Sequence, residues 1–329
     1  MMGDNFAPLG GYFEMELASQ YGLPHGNQPS YYYQSARAAF RALLEVVKPA
    51  RVWLPFYICD SMISSVADQG LSVKFYSQTD LLDFDLPEVN SNDVVLIVNY
   101  FGLHDDKIKK KLEIINRYQV VVDNSQALFS PPVDCLATIY SPRKFLGVPD
   151  GGILVTTCAM ECKEKIVESD SESLSRSGYL LKRLALGAEA GYLDYQAAEN
   201  SLADTTPKPM SGLTKVLLCS IDRNNVSERR RENYLYLSDS IDAFNQKPIE
   251  LKENAVPLCY PLTVDDNTLR RTLIENKIFV ATYWPDVSSR VSPDSAEAHF
   301  VDTILPIPID QRYSPKSLRR IVEMLTSLS

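Results

Sequence analysis

Residues 137–157 read ATIYSPRKFLGVPDGGILVTT: a β-branched stretch, a turn rich in proline and glycine, and a second apolar stretch. The pattern predicts strand, turn and strand, with Lys144 just past the end of the first strand. Burial there would strip water from the amine and make it a nucleophile. Upstream, 120–126 read VVVDNSQ, which puts Asp123 at the end of another predicted strand.

Working outward, strands alternate with helices. Phe40, Leu43, Leu44 and Val47 share one face at helical spacing, Ser35 is an available N-cap, and Pro49 stops the helix predicted over 36–47. Strand 51–54, helix 60–68 closed by Gly70, strand 73–76, buried strand 94–99, helix 105–118 and strand 119–122 follow. Such alternation implies a mostly parallel sheet with helices on both faces, and ligands in such sheets bind beyond the carboxyl ends of the strands. Asp123, the turn 141–144 and the Pro55-Phe56-Tyr57 turn all fall at that edge. Residues 160–206 are expected to be helical with a loop-like centre at 169–177, and 210–244 to form one or two long helices. A tail of strand 256–264, helix 268–275, strands 278–283 and 303–307 and helix 315–328 reads as a small α+β domain. The expected division is an N-terminal arm over 1–30, a large α/β domain over 31–246 and a small C-terminal domain over 247–329.

Composition narrows the function. The chain has 329 residues, 45% apolar and 23% charged, as in an ordinary globular protein. Its net charge of −9, from 42 acidic and 33 basic residues, argues against a nucleic-acid partner. No apolar run approaches the roughly 20 residues of a membrane span, and the first residues do not read as a secretory signal, so a cytoplasmic location is expected. The cysteines, Cys59, Cys135, Cys158, Cys162, Cys219 and Cys259, show no paired spacing and read as reduced thiols, with no metal site.

A lysine and an aspartate at one sheet edge are the two side chains that a pyridoxal phosphate enzyme needs. Singly, each has a plainer explanation: an aspartate at a strand end is usually a turn former or cap, and Lys144 beside Arg143 reads as a solvated basic pair. Three further stretches shift the balance. Gln34 to Ala39 opens a helix whose free N–H groups form an anion site suited to a phosphate. The strand end Trp53 to Cys59 supplies aromatics that could stack on a planar ring or fill the core. Val98 to Asp105 ends the most buried strand in polar and aromatic residues.

Taken in order, SARAAF (35–40), LPFYIC (54–59), NYFGLHDD (99–106), VVDNSQAL (121–128), SPRKFLGVPDGG (141–152), RRRENYLYL (229–237) and ILPIPIDQRYS (304–314) resemble the DegT/DnrJ/EryC1/StrS family of sugar aminotransferases, fold-type I pyridoxal phosphate enzymes. The resemblance spans about residues 30–325 and implies the cofactor pyridoxal 5′-phosphate. It implies that Lys144 bonds to the cofactor and moves the α-proton, and that Asp123 pairs with the pyridine nitrogen. Gln126 would lie beside the ring, and Ser35 and the Ala36 and Arg37 amides would hold the phosphate. Tyr57 or Cys59 would lie over the ring, a choice the sequence leaves open. The family's phosphate-binding serine before the lysine is Ile139 here, with Ser141 a substitute. Its asparagine ahead of the 210–211 run is Pro207, with Lys208 able to supply a cation. The loop between Gln126 and Ala137 is also short for the family.

The resemblance implies transfer of an amino group, with glutamate as donor, to a nucleotide-linked keto-sugar in polysaccharide or amino-sugar synthesis. It also implies a homodimer, for which Tyr31, Tyr32 and Tyr33 are interface candidates, though they could equally cover their own domain. The departures leave two alternatives: another pyridoxal-dependent reaction, or a non-catalytic paralogue that binds the cofactor or an amino-sugar. Trp284, His299 and Arg312 are small-domain residues placed to meet substrate, each with an equal structural reading.

Overall fold

The computed structural model of the chain describes residues 12–81, 83–84, 88–160, 166–266 and 268–327. Seven strands form the main sheet: β1 (Ser30–Tyr33), β2 (Arg51–Pro55), β3 (Ser72–Tyr76), β4 (Asp93–Val98), β5 (Val120–Asn124), β6 (Ala137–Tyr140) and β7 (Gly152–Val155). Their spatial order is β1-β7-β6-β5-β4-β2-β3; β2 to β6 run parallel, and β7 lies antiparallel between β6 and β1. Every residue of β4, β5 and β6 is buried, which is why these strands read as unbroken apolar runs and not as alternation.

Helices α1 (Ala36–Val47), α2 (Asp60–Ala67) and α3 (Asp105–Ile114) connect strands of this sheet. In α1 the Ser35 side chain accepts from the Ala38 N–H, and Ala38, Ala39, Phe40, Leu43 and Leu44 are buried. After β7 come α4 (Ile166–Arg176), α5 (Gly178–Leu186), α6 (Tyr192–Ser201), α7 (Gly212–Ser220) and α8 (Arg223–Ile241). A second, antiparallel sheet pairs β8 (Cys259–Thr263) with β9 (Ile304–Pro308), accompanied by α9 (Leu269–Glu275), α10 (Ala296–Thr303) and α11 (Pro315–Ser327). One hydrophobic cluster runs from Tyr33 and Leu96 through Tyr260 and Ile307 to Leu325, so the two sheets share a core.

Of the two readings left open for Tyr31 to Tyr33, the structure places them in their own sheet, as β1. It departs from the sequence expectations at three elements. The helix expected to reach 118 ends at Ile114, because Ile115 is extended and Arg117–Gln119 forms a separate 3-10 turn. The loop expected at 169–177 is mostly helical, within α4. Residues 278–283 form no strand, because β8 finds its only partner in β9; Ile278 and Val280 are nevertheless buried. The first eleven residues of the expected arm lie outside the described residues. No helix among the described residues is long and apolar enough to cross a membrane, and none of their His, Cys, Asp and Glu side chains group as metal ligands.

Candidate active site

Asp123 and the lysine turn meet at one sheet edge because β5 and β6 are neighbours. Asp123 is in register with Val98 on one side and Ile139 on the other, and the chain leaves β6 straight into Ser141 and the 3-10 turn Pro142–Lys144. Asp123 is buried; its Oδ1 accepts the Ser125 N–H at 2.8 Å, while Oδ2 accepts no hydrogen bond from the described residues. Gln126 is buried beside it. Its Oε1 accepts the Phe101 N–H at 2.9 Å, whereas Nε2 is enclosed and has no partner among the described residues. A buried donor left without an acceptor is costly in a native protein. Here the two unused groups, one acceptor and one donor, sit three residues apart at the strand end.

The turn after β4 fixes Gln126. Phe101 adopts a left-handed conformation with φ of 60°, and Gly102 follows at 71°. A Cβ on Gly102 would stand 2.9 Å from the Val256 carbonyl oxygen and 3.1 Å from that of Gln126, so only glycine fits. Phe101 pays this strain back through its N–H to Gln126 and its carbonyl, which accepts from the Leu258 N–H at 2.8 Å. Asn99 ties in the next layer: its N–H donates to the Asp123 carbonyl at 3.0 Å, and its Nδ2 donates to Asp105 Oδ1 at 2.7 Å and Asn124 Oδ1 at 3.0 Å.

The turn that carries Lys144 is pinned through its neighbours. Pro142 and Phe145 take the buried positions, and the Phe145 carbonyl accepts from Gln311 Nε2 at 2.8 Å and Arg230 Nη2 at 3.3 Å. Arg230 also lies over the Phe145 ring at 4.6 Å. Burial pulls the Arg230 guanidinium down to about 10, partly opposed by Asp310. Lys144 itself is exposed: its N–H donates to the Ser141 carbonyl at 3.3 Å, while its amine makes no hydrogen bond or ion pair with the described residues. The desolvation expected of it is therefore not present in the single chain; the 3-10 turn carries it outward past the sheet edge.

The start of α1 is pressed onto the same loop. Ser35 forms a parallel bridge with Gly151, and a Cβ on Gly152 would fall 2.1 Å from the Ser35 carbonyl carbon and oxygen. This close approach explains the Gly-Gly pair. Ser35 is buried and its hydroxyl is occupied as the helix cap; Ala36 and Arg37 follow, half-buried, and the Arg37 N–H finds no acceptor among the described residues. Ser141 is buried and its hydroxyl makes no hydrogen bond with the described residues, while Ile139 is wholly enclosed in β6 and offers no polar side-chain group.

Tyr57 and Cys59 separate clearly. Tyr57 is 1% exposed, held by Trp284 at 4.7 Å, Phe300 at 5.4 Å and Tyr100 at 5.5 Å between ring centroids, which leaves no face open. Cys59 is partly exposed at the start of α2, with Sγ 3.1 Å from Ser61 Oγ. Of the small-domain residues, Trp284 reaches this edge through Tyr57, whereas Arg312 pairs with Asp310 at 2.6 Å and His299 is 4.0 Å from Asp265. Lys208 does not supply a free cation, because Glu172 takes it at 2.7 Å.

The solvated reading of Arg143 does not hold, because its side chain is mostly buried and pairs with Glu199, a residue the sequence did not single out. Burial works against the Arg143 charge, but Glu199, Tyr179 and Tyr195 outweigh it and raise its pKa. Arg143 was visible as a neighbour of Lys144; Glu199 had no signal, being brought over from α6 only by the fold. A cleft of about 840 Å³ lies elsewhere, between His104, Asp105 and Lys107 on one wall and Lys247, Ile249 and Lys252 on the other. Neither Asp123 nor Lys144 lines it, and the unused donor and acceptor of Gln126 and Asp123 locate the chemistry better than open volume does.

Solved structures share this fold across nearly the whole chain. They include the sugar aminotransferase CalS13 from Micromonospora echinospora, at 14% identity and a TM-score of 0.60 over 91% of this chain and 87% of that one. The pyridoxal phosphate form of a sugar aminotransferase from Streptococcus pneumoniae gives 14%, 0.63, 91% and 87%. DesI, solved in the presence of its TDP-sugar product, gives 16%, 0.61, 90% and 79%. The fold is thus that of the pyridoxal-phosphate-dependent sugar aminotransferases, the class the ordered motifs resemble. No family model matches the sequence, and no curated protein does.

Proposed function

We propose that this protein is a pyridoxal-phosphate-dependent aminotransferase acting on a nucleotide-linked keto-sugar. The observation that carries the reading is the unused pair at the end of β5, Asp123 Oδ2 and Gln126 Nε2, on the strand adjacent to the lysine turn. The cofactor supplies a protonated heterocycle that accepts the electrons of a substrate carbanion. Asp123, as a carboxylate, would pair with the ring nitrogen and keep its proton in place. Gln126 Nε2 would donate to an oxygen on the ring, the α1 start would hold the phosphate, and the Lys144 amine would hold and return the substrate proton. Cys59 is better exposed than Tyr57 to meet the ring.

Glutamate as donor, a homodimer and a cytoplasmic location belong to the same reading. Leu184, Leu186 and Leu193 on α5 and α6 are strongly exposed, apolar surface that a second copy would cover. Sedimentation showing a stable monomer would remove that part.

Incubation with pyridoxal phosphate, borohydride reduction and peptide mapping test the core of the proposal: the label is expected on Lys144, and a label absent from it ends the idea. A second reading, a paralogue that binds without turnover, is favoured by the buried Ile139 and by the capture of Lys208 by Glu172. An aminotransferase converts its cofactor to the amine form when given an amino donor alone; a binding module leaves the spectrum unchanged.

A further inference from the structure

Two guanidinium groups within electrostatic reach of each other, those of Arg37 and Arg143, have fewer partners than their burial calls for. Arg37, in the first turn of α1, is half-buried, yet its guanidinium makes no hydrogen bond or ion pair with the described residues. Desolvation lowers its pKa; Cys59 and Glu199 oppose that, and Arg143 adds to it, so all three lie within electrostatic reach. The Arg143 side chain is only 10% exposed, and although one of its nitrogens meets Glu199, its Nε is enclosed without a partner. The bridge between Ser35 and Gly151 folds the Arg143 turn against the α1 start, with Pro142 Cδ 3.7 Å from where a Gly151 Cβ would be. Two desolvated cations thus lie in the field of one carboxylate that pairs with only one of them, a balance that favours a further anion.

We infer that Arg37 and Arg143, together with the free N–H of Arg37, bind a phosphoryl dianion, and that Glu199 is the carboxylate this dianion displaces from Arg143. The inference rests on the aminotransferase reading only for the source of the phosphoryl group: the cofactor's phosphate or the diphosphate of a nucleotide-linked sugar. Planar guanidinium forks match phosphate oxygens bidentately, and the helix start adds its dipole. The arrangement replaces with side-chain cations what Ile139 cannot offer, and Glu199 keeps Arg143 oriented until the dianion arrives.

The test compares wild type with Arg37→Gln, Arg143→Gln and Glu199→Gln in titrations with pyridoxal phosphate, pyridoxal and thymidine diphosphate, read by absorbance for the aldehydes and by calorimetry for the nucleotide. Arg37→Gln removes no existing partner, so its fold is preserved even if Arg143→Gln is damaged. If the cofactor is the source, Arg37→Gln weakens pyridoxal phosphate about tenfold and leaves pyridoxal unchanged. If the nucleotide is the source, the same loss appears with thymidine diphosphate. Glu199→Gln is expected to tighten the same ligand severalfold, whereas a carboxylate that merely braced α6 would leave affinity unchanged or weaken it. Equal affinities of wild type and Arg37→Gln for both phosphorylated ligands overturn the inference. Failure of both aldehydes to attach to Lys144 in every protein overturns the aminotransferase reading instead, and the thymidine diphosphate titration then decides the clamp by itself.

Discussion

Replacing Arg230 by methionine isolates the pin that holds the lysine turn. Arg230 is 2% exposed, and no carboxylate among the described residues lies within ion-pair distance of it. It donates through Nε to Gln311 Oε1 at 3.1 Å, through Nη1 to the carbonyls of Pro257 at 3.3 Å and Leu258 at 3.0 Å, and through Nη2 to that of Phe145 at 3.3 Å. Methionine matches the length of the stem and keeps contact with the Phe145 ring, but donates nothing. The Phe145 carbonyl keeps Gln311 Nε2, so three acceptors lose their partner: Pro257, Leu258 and the Gln311 amide oxygen. Each orphaned acceptor costs about 1–3 kcal/mol, a gross loss of about 6 kcal/mol. Against this, a buried guanidinium no longer has to be desolvated, which returns about 3 kcal/mol. The net expectation is a loss of about 3 kcal/mol, measured as a lower urea midpoint with an unchanged m-value. Arg230→Lys restores one or two of the bonds and falls between the two proteins. A loss below about 1 kcal/mol for Arg230→Met would show that the carbonyls are satisfied some other way and refute the reasoning.

Two further outcomes follow from other contacts. Gly152→Ala places a Cβ 2.1 Å from backbone atoms of Ser35, where no side chain can yield; α1 must retreat by about 1 Å, costing about 3 kcal/mol, and thermal unfolding with a Gly22→Ala control, at a position with nothing near the added Cβ, reads it. His104 is buried and its pKa is lowered to about 3, first by burial and then by Lys107, with Asp80 pulling the other way. The unfolded chain therefore binds the proton first. The stability His104 contributes is complete above about pH 6.5 and is lost as pH falls toward about 3, with about 2 kcal/mol gone by pH 5. Urea titrations at pH 7 and 5 are expected to show His104→Leu losing about 2 kcal/mol less than wild type over that interval, and equal losses would contradict the assignment.

The sheet was legible because its strands are buried on both faces. Val94 to Val98 and Val120 to Val122 leave no periodicity to confuse with a helix, and the sequence places Asp123 at its strand end correctly. Short-range chemistry was legible too: Ser35 as a cap follows from local rules, whereas the close approach that requires Gly152 involves Ser35 and was not. What escaped depended on contacts between distant segments. Residues 278–283 have strand composition but no edge to join, because β8 and β9 already pair. Lys144 looked buried because a strand precedes it, yet Pro142 and Phe145 occupy the inward positions of the turn. Tyr57 and Cys59 could not be told apart until Trp284 and Phe300, far along the chain, closed over one of them. Glu199 reaches Arg143 only through α6, and no spacing rule links the two.

The carbonyl that follows Lys144 is held from the far end of the chain, by Gln311. A ribosome releasing this protein from its N-terminus therefore completes the whole seven-stranded sheet before that amide emerges. Until Gln311 leaves the exit tunnel, the nascent chain owns its lysine but only the longer of the two bonds, the one from Arg230, that hold the carbonyl after it. The full grip at this edge is in that sense a late event of synthesis, and a C-terminal truncation ending before Gln311 leaves that carbonyl to Arg230 alone without removing one residue of the sheet.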